Sequence, residues 1–234
     1  MTDRITTLNT GYGFDVSTQE RNKVLRNTYW LLSLSMVPTI LGAWIGVATG
    51  VGAAMATMSP WIGLIVFMGG AFGFMFAIEK FKNSAAGVPI LLAFTFFMGL
   101  MLSRLVGNIL GLNNGASLIM TAFAGTGGIF MGMAVLSSVI KRDLSSMGKF
   151  LFIGMIMVLV AAVANIFFQS SALMIALSVL VIGISSAFIL YDLKRVKDGE
   201  ETNYISATLG VYLSLYNIFS SLLSLLGIFG GERD

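Results

Sequence analysis

The sequence contains no cysteine and no histidine. Without cysteine, the chain has no disulfide and no thiolate nucleophile. Without histidine, it lacks the side chain that most often binds metal ions or transfers protons near neutral pH. These two absences exclude a zinc site as well as the Ser-His and Cys-His pairs of hydrolases, and we expect no cofactor.

Charged residues are also scarce, at 11% of 234 residues, while 56% are hydrophobic and the mean hydropathy is +0.89. A soluble domain has roughly a quarter of its residues charged. The chain therefore has too little polar surface to fold as a globule in water, and it is predicted to be an integral protein of the lipid bilayer. The net charge of +3 does not indicate a nucleic-acid partner, because the basic residues follow the membrane topology.

Seven apolar runs are long enough to cross a bilayer, which takes about 20 residues in an α-helix. They cover residues 28–49, 60–79, 86–107, 115–139, 148–168, 172–192 and 204–229. The predicted fold class is an all-α membrane protein, a seven-transmembrane helical bundle over residues 27–230. A polar tail, residues 1–26, precedes the bundle, and a short C-terminus, residues 231–234, follows it. The first run exceeds the apolar core of a signal peptide, about 7 to 15 residues, so we interpret it as an uncleaved helix.

The basic residues are concentrated on one side of the predicted membrane. Two of the fourteen are exceptions: Arg104 lies inside the third run, and Arg233 lies at the C-terminus. The others lie in the tail or in every second connection: Arg4, Arg21, Lys23, Arg26, Lys80, Lys82, Lys141, Arg142, Lys149, Lys194, Arg195 and Lys197. Because basic connections stay in the cytoplasm, the N-terminus is predicted to be cytoplasmic and the C-terminus external.

Small residues recur at four-residue intervals in several predicted helices. The sets are Gly42, Gly46 and Gly50; Gly69 and Gly73; and Ala124, Gly128 and Gly132. Such faces let helix backbones approach closely in lipid, so they predict a tightly packed bundle. Pro38 lies inside the first run and predicts a kink there.

The last apolar run has a polar stripe along one side. On a helix, its small and polar residues fall within an arc of about 80°: Ser206, Gly210, Ser214, Asn217, Ser221 and Ser224. In lipid, such a stripe should turn toward protein or water. The last helix is therefore predicted to be an inner helix, with the other helices as its wall.

Ionisable residues at membrane depth are costly and are candidates for function. Asp192 ends the sixth run, and Glu79 ends the second run at a similar depth. For each, two interpretations stay open. The carboxylate is either a solvated member of an ion-pair cluster, or a titratable gate and cation ligand on a permeation path.

Five other polar side chains lie within or at the ends of the predicted helices. Arg104 can reach the headgroups from the outer end of the third run, or form a structural hydrogen bond. Asn165 and Gln169 are expected to hydrogen-bond between helices. Ser214 and Asn217 either do the same or line a polar pore.

The Tyr191-Asp192 pair resembles the first half of an intramembrane aspartyl protease site. That chemistry needs two carboxylates that share a proton. The last run has no acidic residue between Asn203 and Phe229, so the second carboxylate is missing. We therefore expect that the protein is not an enzyme.

One long segment carries a family resemblance. Residues 183–227 read GISSAFILYDLKRVKDGEETNYISATLGVYLSLYNIFSSLLSLLG. The YD at the end of the sixth run, the acidic linker with ETNYI and the YxxxYNIFxSLL run resemble the C-terminal signature of the Bax-inhibitor-type (TMBIM) membrane proteins. The stretches VLRNTYWLLSLS and AAVANIFFQSSAL are similar to the bacterial YccA branch. The likeness covers the chain from about Val24 to its end.

The resemblance implies seven helices with the last one at the centre. It also implies a relation to calcium-leak proteins whose pore is governed by a pair of aspartates near the cytoplasmic end. The sixth-helix aspartate corresponds to Asp192. Its partner corresponds to Ser214, where this sequence has a hydroxyl that cannot hold charge or share a proton.

Two functions follow from the resemblance. The YccA branch implies an inner-membrane modulator of, and substrate for, the membrane-anchored AAA protease FtsH with its HflK/HflC partners. The alternative is a pH-sensitive calcium or cation leak, in which Asp192 titrates and contacts calcium as the transported ion. An aspartate at position 214 would have favoured the channel, so the first function is our main hypothesis.

Overall fold

A computed structural model describes residues 17–57 and 59–231, and in these ranges the secondary structure is helical without a strand. The helices are α1 (Thr18–Ala48), α2 (Val51–Thr57), α3 (Pro60–Phe81), α4 (Gly87–Leu110), α5 (Gly115–Val139), α6 (Met147–Phe168), α7 (Ser171–Asp198) and α8 (Tyr204–Phe229). Seven of them are long and apolar enough to cross a membrane, which confirms the predicted fold class. The short α2 lies in the connection between the first two runs and was not expected.

The first helix begins ten residues before its apolar run. Ser17 is the N-cap, and its hydroxyl accepts a hydrogen bond from the N–H of Glu20 (3.3 Å). The Glu20 carboxylate accepts one from the N–H of Ser17 (3.1 Å). This capping box starts the helix, so the polar residues 18–27 extend α1 rather than belonging to a separate tail. Residues 1–16 lie outside the described residues.

The last helix is central, as the polar stripe predicts. It contacts α1, α3, α4, α5 and α7, whereas α6 packs mainly on α7. Tyr212 of α8 joins three helices: its hydroxyl lies 2.8 Å from the Thr39 hydroxyl of α1 and 3.4 Å from the Thr95 carbonyl oxygen of α4. Only 1% of Tyr212 is exposed. Its ring and its hydroxyl are therefore both held inside the bundle.

The closest backbone contact in the bundle is between α1 and α4. A Cβ atom on Gly99 would lie 2.1 Å from the carbonyl oxygen of Thr39, and one on Gly42 would lie 2.3 Å from that of Phe96. Neither distance leaves room for a methyl group. Glycine at these positions therefore lets the two backbones touch, as the four-residue spacing of Gly42 and Gly46 predicts.

The same prediction is wrong for the other glycine sets. A Cβ atom on Gly69, Gly73, Gly128 or Gly132 would meet no other side chain or helix within 4 Å. Gly50 has a different role, because its φ of +74° turns the chain between α1 and α2. Spacing alone does not tell whether a small-residue face turns toward a neighbouring helix or toward lipid.

Three connections meet at one end of the bundle. Asn203, before α8, donates hydrogen bonds to the Lys82 carbonyl oxygen (3.2 Å) and to the Asn83 side chain (2.8 Å) between α3 and α4. Ser145, between α5 and α6, donates to Glu200 after α7 (3.4 Å). We call this end, which also contains the start of α1, the basic end. The opposite end contains α2 and the α6–α7 turn.

A lysine ties two helices together at the basic end. Lys197 of α7 donates hydrogen bonds to the Ser137 hydroxyl (2.7 Å), the Ala134 carbonyl oxygen (3.2 Å) and the Ser138 hydroxyl near the end of α5. A cation is favourable at this end of a helix, because the last carbonyl groups carry partial negative charge. Lys197 therefore fixes α7 against α5 close to the end of α7.

We predict that Gly99→Ala destabilises the bundle by about 1–3 kcal/mol, because the added methyl group separates α1 from α4. Gly128→Ala is the matched control in an open part of α5, where alanine should be neutral or stabilising by about 0.5–1 kcal/mol. SDS-induced unfolding in mixed micelles measures both. Equal stability of Gly99→Ala and the unchanged chain would contradict the close contact.

Candidate functional site between the last two helices

The carboxylate of Asp192 lies against the central helix. α7 ends at Asp198 and is capped by Gly199, whose φ of +83° is left-handed. Asn203 caps the start of α8 through hydrogen bonds from the N–H groups of Ile205 and Ser206. This short connection brings Asp192 level with Gly210. A Cβ atom on Gly210 would lie 2.6 Å from Oδ2 of Asp192, so the carboxylate occupies the space that any other residue's side chain would fill.

Two buried hydroxyls on the same helix faces as this contact, those of Ser185 and Ser206, have no hydrogen-bond partner among the described residues. Ser185 precedes Asp192 by seven residues and so shares its face of α7, while Ser206 is one turn from Gly210 on α8. An unpaired buried polar group costs about 1–3 kcal/mol, and an ordered water commonly pairs it. We call Ser185, Asp192, Ser206, Gly210 and Ser214 the polar seam.

Ser214 contributes a hydroxyl to the polar seam and no charge. It is 5% exposed, and its Oγ donates to the carbonyl oxygen of Gly210 at 3.1 Å. The hydroxyl is therefore bonded within its own helix. In the described part of the chain, Asp192 is the only ionisable member of the polar seam.

The cations next to Asp192 in sequence have other partners. Lys194 pairs with Asp198. Arg195 lies 3.6 Å from a Glu200 oxygen and 3.9 Å from a Glu201 oxygen, and its guanidinium stacks over the Tyr191 ring at 5.6 Å. Across residues 17–57 and 59–231, no cation lies within ion-pair distance of Asp192. The ion-pair cluster exists, but Asp192 lies beside it rather than in it.

The Asp143 carboxylate at the basic end is held by hydrogen bonds within a turn. Asp143, between α5 and α6, accepts hydrogen bonds from the N–H of Ser145 at 2.8 Å and from the Ser145 hydroxyl. These two donors favour the ionised form and lower the pKa of Asp143. Asp143 therefore stays charged and contributes to loop structure.

Glu79 is not part of the polar seam. It is exposed on α3 and pairs with Lys82 three residues later. The structure thus places Glu79 at a solvated helix end, which is the first of the two interpretations that its sequence position left open.

Asn217 lies at the midpoint of α8 and faces a cavity of about 270 Å³. The rest of the cavity wall is apolar and comes from α3, α6 and α7, including Phe67, Val158 and Val181. The Asn217 amide has no hydrogen-bond partner among the described residues. Toward the opposite end, the rings of Trp61 and Phe167 lie 5.0 Å apart and join α3 to α6. A polar group of the central helix is thus accessible between two outer helices.

The remaining polar candidates lie toward the opposite end of the bundle. Arg104 is exposed on α4 where α2 packs against it. Asn165 bonds the N–H (3.0 Å) and the carbonyl oxygen (3.2 Å) of Ser170 in the turn that follows α6. Gln169 has a left-handed φ of +48° and is exposed at the end of α6. Asn165 thus bonds the N-cap residue of α7, and Gln169 shapes the α6–α7 turn. Among the described residues, neither side chain bonds a more distant helix.

The family is settled by comparison with known proteins. The family model for the inhibitor of apoptosis-promoting Bax1 matches residues 21–231. The chain belongs to the Bax inhibitor family. It is 40% identical over 213 residues to the modulator of FtsH protease YccA from Escherichia coli K12, covering 91% of this chain and 92% of that protein.

The match to YccA places the chain in the YccA-type branch of the family, and two further relatives match over about nine-tenths of the chain. The chain is 40% identical over 213 residues to the inner membrane protein YccA of Escherichia coli O6:H1, with coverage of 91% and 92%. It is 39% identical over 211 residues to a membrane protein of Vibrio cholerae, covering 90% of this chain and 92% of that one. This Bax inhibitor family protein is therefore a multi-pass membrane protein with an inner-membrane relative.

Sequence reasoning found Asp192 and the stripe on α8 but not their contact. It also missed Ser185 and the contact between Lys197 and α5. A signal for Ser185 exists, because it lies two helical turns before Asp192 on the same face. No comparable signal marks Lys197, since its partners are 60 residues away along the chain.

We predict that Gly210→Ala destabilises the Bax inhibitor family protein by about 1–3 kcal/mol, because the new methyl group displaces the Asp192 carboxylate. In the Asp192→Ala background, the same change should cost less by about 1 kcal/mol, since the displaced group is absent. A double-mutant cycle in SDS unfolding measures this coupling. Gly128→Ala is the control and should not couple to Asp192→Ala. Additive effects at positions 192 and 210 would show that the two residues do not touch.

Proposed function

We propose that this Bax inhibitor family protein modulates a membrane-anchored AAA protease of the FtsH type, through contact and without catalysis of its own. The observation that carries the proposal is the match to the modulator of FtsH protease YccA, over nine-tenths of both chains. A protein that acts by contact within the bilayer offers its partner a surface at membrane depth. The cavity between α3 and α6 offers such a surface, because the Asn217 amide faces it without a hydrogen-bond partner among the described residues and polar groups strengthen helix association in lipid.

We also propose that the basic end lies in the cytoplasm, as the positive-inside rule predicts. Residues 1–16 then precede the first helix on the cytoplasmic side, where a protease that engages substrates from one end can reach them. The capping box at Ser17 and Glu20 marks where the helix begins. Modulation and degradation can therefore be separated by removing residues 2–16 without removing the helix cap.

The test reconstitutes an FtsH-type protease in proteoliposomes with a second membrane substrate. The full-length protein should lower the initial rate of ATP-dependent cleavage of that substrate, and should itself be slowly degraded. The form without residues 2–16 should still lower the rate but should be degraded more slowly, because the segment available for engagement is gone. The two readouts are the fragments of the second substrate and the remaining amount of this protein.

An unrelated seven-helix protein at the same density is the control for crowding in the bilayer. A cleavage rate unchanged by the full-length protein would refute modulation. Equal degradation of the full-length and shortened forms would refute the role of residues 1–16, while leaving modulation intact. HflK/HflC can then be added to learn whether they strengthen the effect.

A second candidate function is a cation leak along the polar seam. Its support is the Asp192 carboxylate, which has no ion-pair partner among the described residues and shares the polar seam with the unpaired hydroxyls of Ser185 and Ser206, since a path for cations needs such groups at membrane depth. A carboxylate attracts a cation only when ionised. Any flux that depends on Asp192 should therefore fall as the pH is lowered and the carboxyl group takes up its proton.

Calcium efflux from proteoliposomes at several pH values tests the leak. We predict that efflux through the unchanged protein rises with pH, whereas Asp192→Asn removes the pH dependence, because an amide cannot ionise. Ser145→Ala is a matched control outside the polar seam and should leave the profile unchanged. Identical efflux from the unchanged protein and Asp192→Asn at every pH would exclude Asp192 as the controlling group.

A further inference from the structure

A groove of about 610 Å³ runs beside the first part of α1 at the basic end. It is separate from the polar seam and from the Asn217 cavity. Its wall consists of Asn27, Trp30, Leu31, Ser33 and Leu34 of α1 and Tyr204 at the start of α8. Polar and apolar residues thus share one groove on the outside of the bundle.

The cations beside this groove differ from several others at the basic end. Lys23 and Arg26 are exposed on α1, and neither forms an ion pair with any described residue. The Asn27 amide and the Tyr204 hydroxyl likewise have no hydrogen-bond partner in the described ranges. By contrast, several cations at the same end have protein partners: Lys82, Lys194, Arg195 and Lys197. The groove is therefore bordered by polar groups that are available to a ligand.

The groups are ordered by depth along the helix. Lys23, Arg26, Trp30 and Leu34 follow one another on one side of α1, and Arg26 and Leu34 are separated by about 12 Å along the helix axis. Trp30 is 73% exposed and lies between the cations and the leucine, where tryptophan marks the boundary between headgroups and hydrocarbon. The sequence from cation to aromatic ring to aliphatic side chain matches the sequence from phosphate to glycerol to acyl chain in a phospholipid.

We propose that this groove binds an anionic phospholipid of the leaflet at the basic end. Its phosphate contacts Arg26, Lys23 and the Asn27 amide, and one acyl chain packs along Trp30 and Leu34. Free phosphate would leave the apolar part of the groove empty, and a zwitterionic lipid would leave the cations unneutralised. If Lys23 and Arg26 each contribute about 1 kcal/mol, the two together correspond to about a 30-fold preference for the anionic lipid over the zwitterionic one.

Tryptophan quenching by brominated lipids tests the proposal in vesicles. The chain has three tryptophans, so Trp44→Phe with Trp61→Phe leaves Trp30 as the only reporter. In phosphatidylcholine vesicles, brominated phosphatidylglycerol should quench Trp30 at a much lower mole fraction than brominated phosphatidylcholine does. The ratio of the two half-quenching mole fractions gives the preference, expected to be about 30-fold. In the matched control, Trp30→Phe with Trp61→Phe leaves Trp44 as the only reporter. Trp44 lies about 21 Å further along α1, and its quenching should show no preference for the anionic lipid.

Charge variants separate a site from general attraction to a negative surface. Lys23→Gln with Arg26→Gln should abolish the preference at Trp30. Lys141→Gln with Arg142→Gln removes the same charge from another connection and should leave it unchanged. If both pairs of substitutions lowered the lipid preference at Trp30 equally, the proposal would be overturned, because general attraction to a negative membrane surface would explain the result. Absence of quenching by either lipid would also overturn it, because a protein segment would then fill the groove.

Discussion

The contact between the Asp192 carboxylate and Gly210 determines how α7 packs against the central helix along the polar seam. It requires a residue without a side chain on α8, a short connection that brings α7 level with it, and a carboxylate without a cation of its own. Because helices in lipid associate mainly by packing, a single glycine decides how closely α7 approaches the central helix at this level. The two unpaired serine hydroxyls extend the polar surface to either side of the contact. Ser185 and Ser214 are buried in the bundle, whereas Asp192, Ser206 and Gly210 are partly exposed.

The same packing rule explains why α8 is central. Tyr212 reaches α1 and α4 with its hydroxyl, while Gly42 and Gly99 let those two helices touch each other. At the basic end, Lys197 fixes α7 to α5. The outer helices α3 and α6 are held less tightly, since a cavity separates them at the level of Asn217. The bundle thus combines a firmly packed half with a side that is open to lipid or to a partner helix.

Much of this fold could be predicted, because hydropathy and the positions of basic residues mark membrane helices directly. The stripe on α8 correctly predicted a central helix, and Asp192 stood out as a carboxylate at membrane depth. The errors came from properties that spacing does not encode. Gly69 and Gly128 have the same four-residue repeats as Gly42, yet they face away from other helices. Gln169 ends α6 with a left-handed backbone conformation, which a glutamine in the sequence does not predict. The capping box at Ser17, in contrast, has a known sequence signature and was overlooked.

Our central proposal is that this Bax inhibitor family protein acts on a membrane protease by contact, independently of ion flux through the polar seam. The most direct measurement records both activities in one proteoliposome preparation: substrate cleavage by an FtsH-type protease, and calcium efflux. It compares the unchanged protein with Asp192→Asn. The account predicts that both forms slow cleavage equally, whatever their efflux. If the unchanged protein slowed cleavage and Asp192→Asn, with its altered efflux, did not, the proposal would be contradicted.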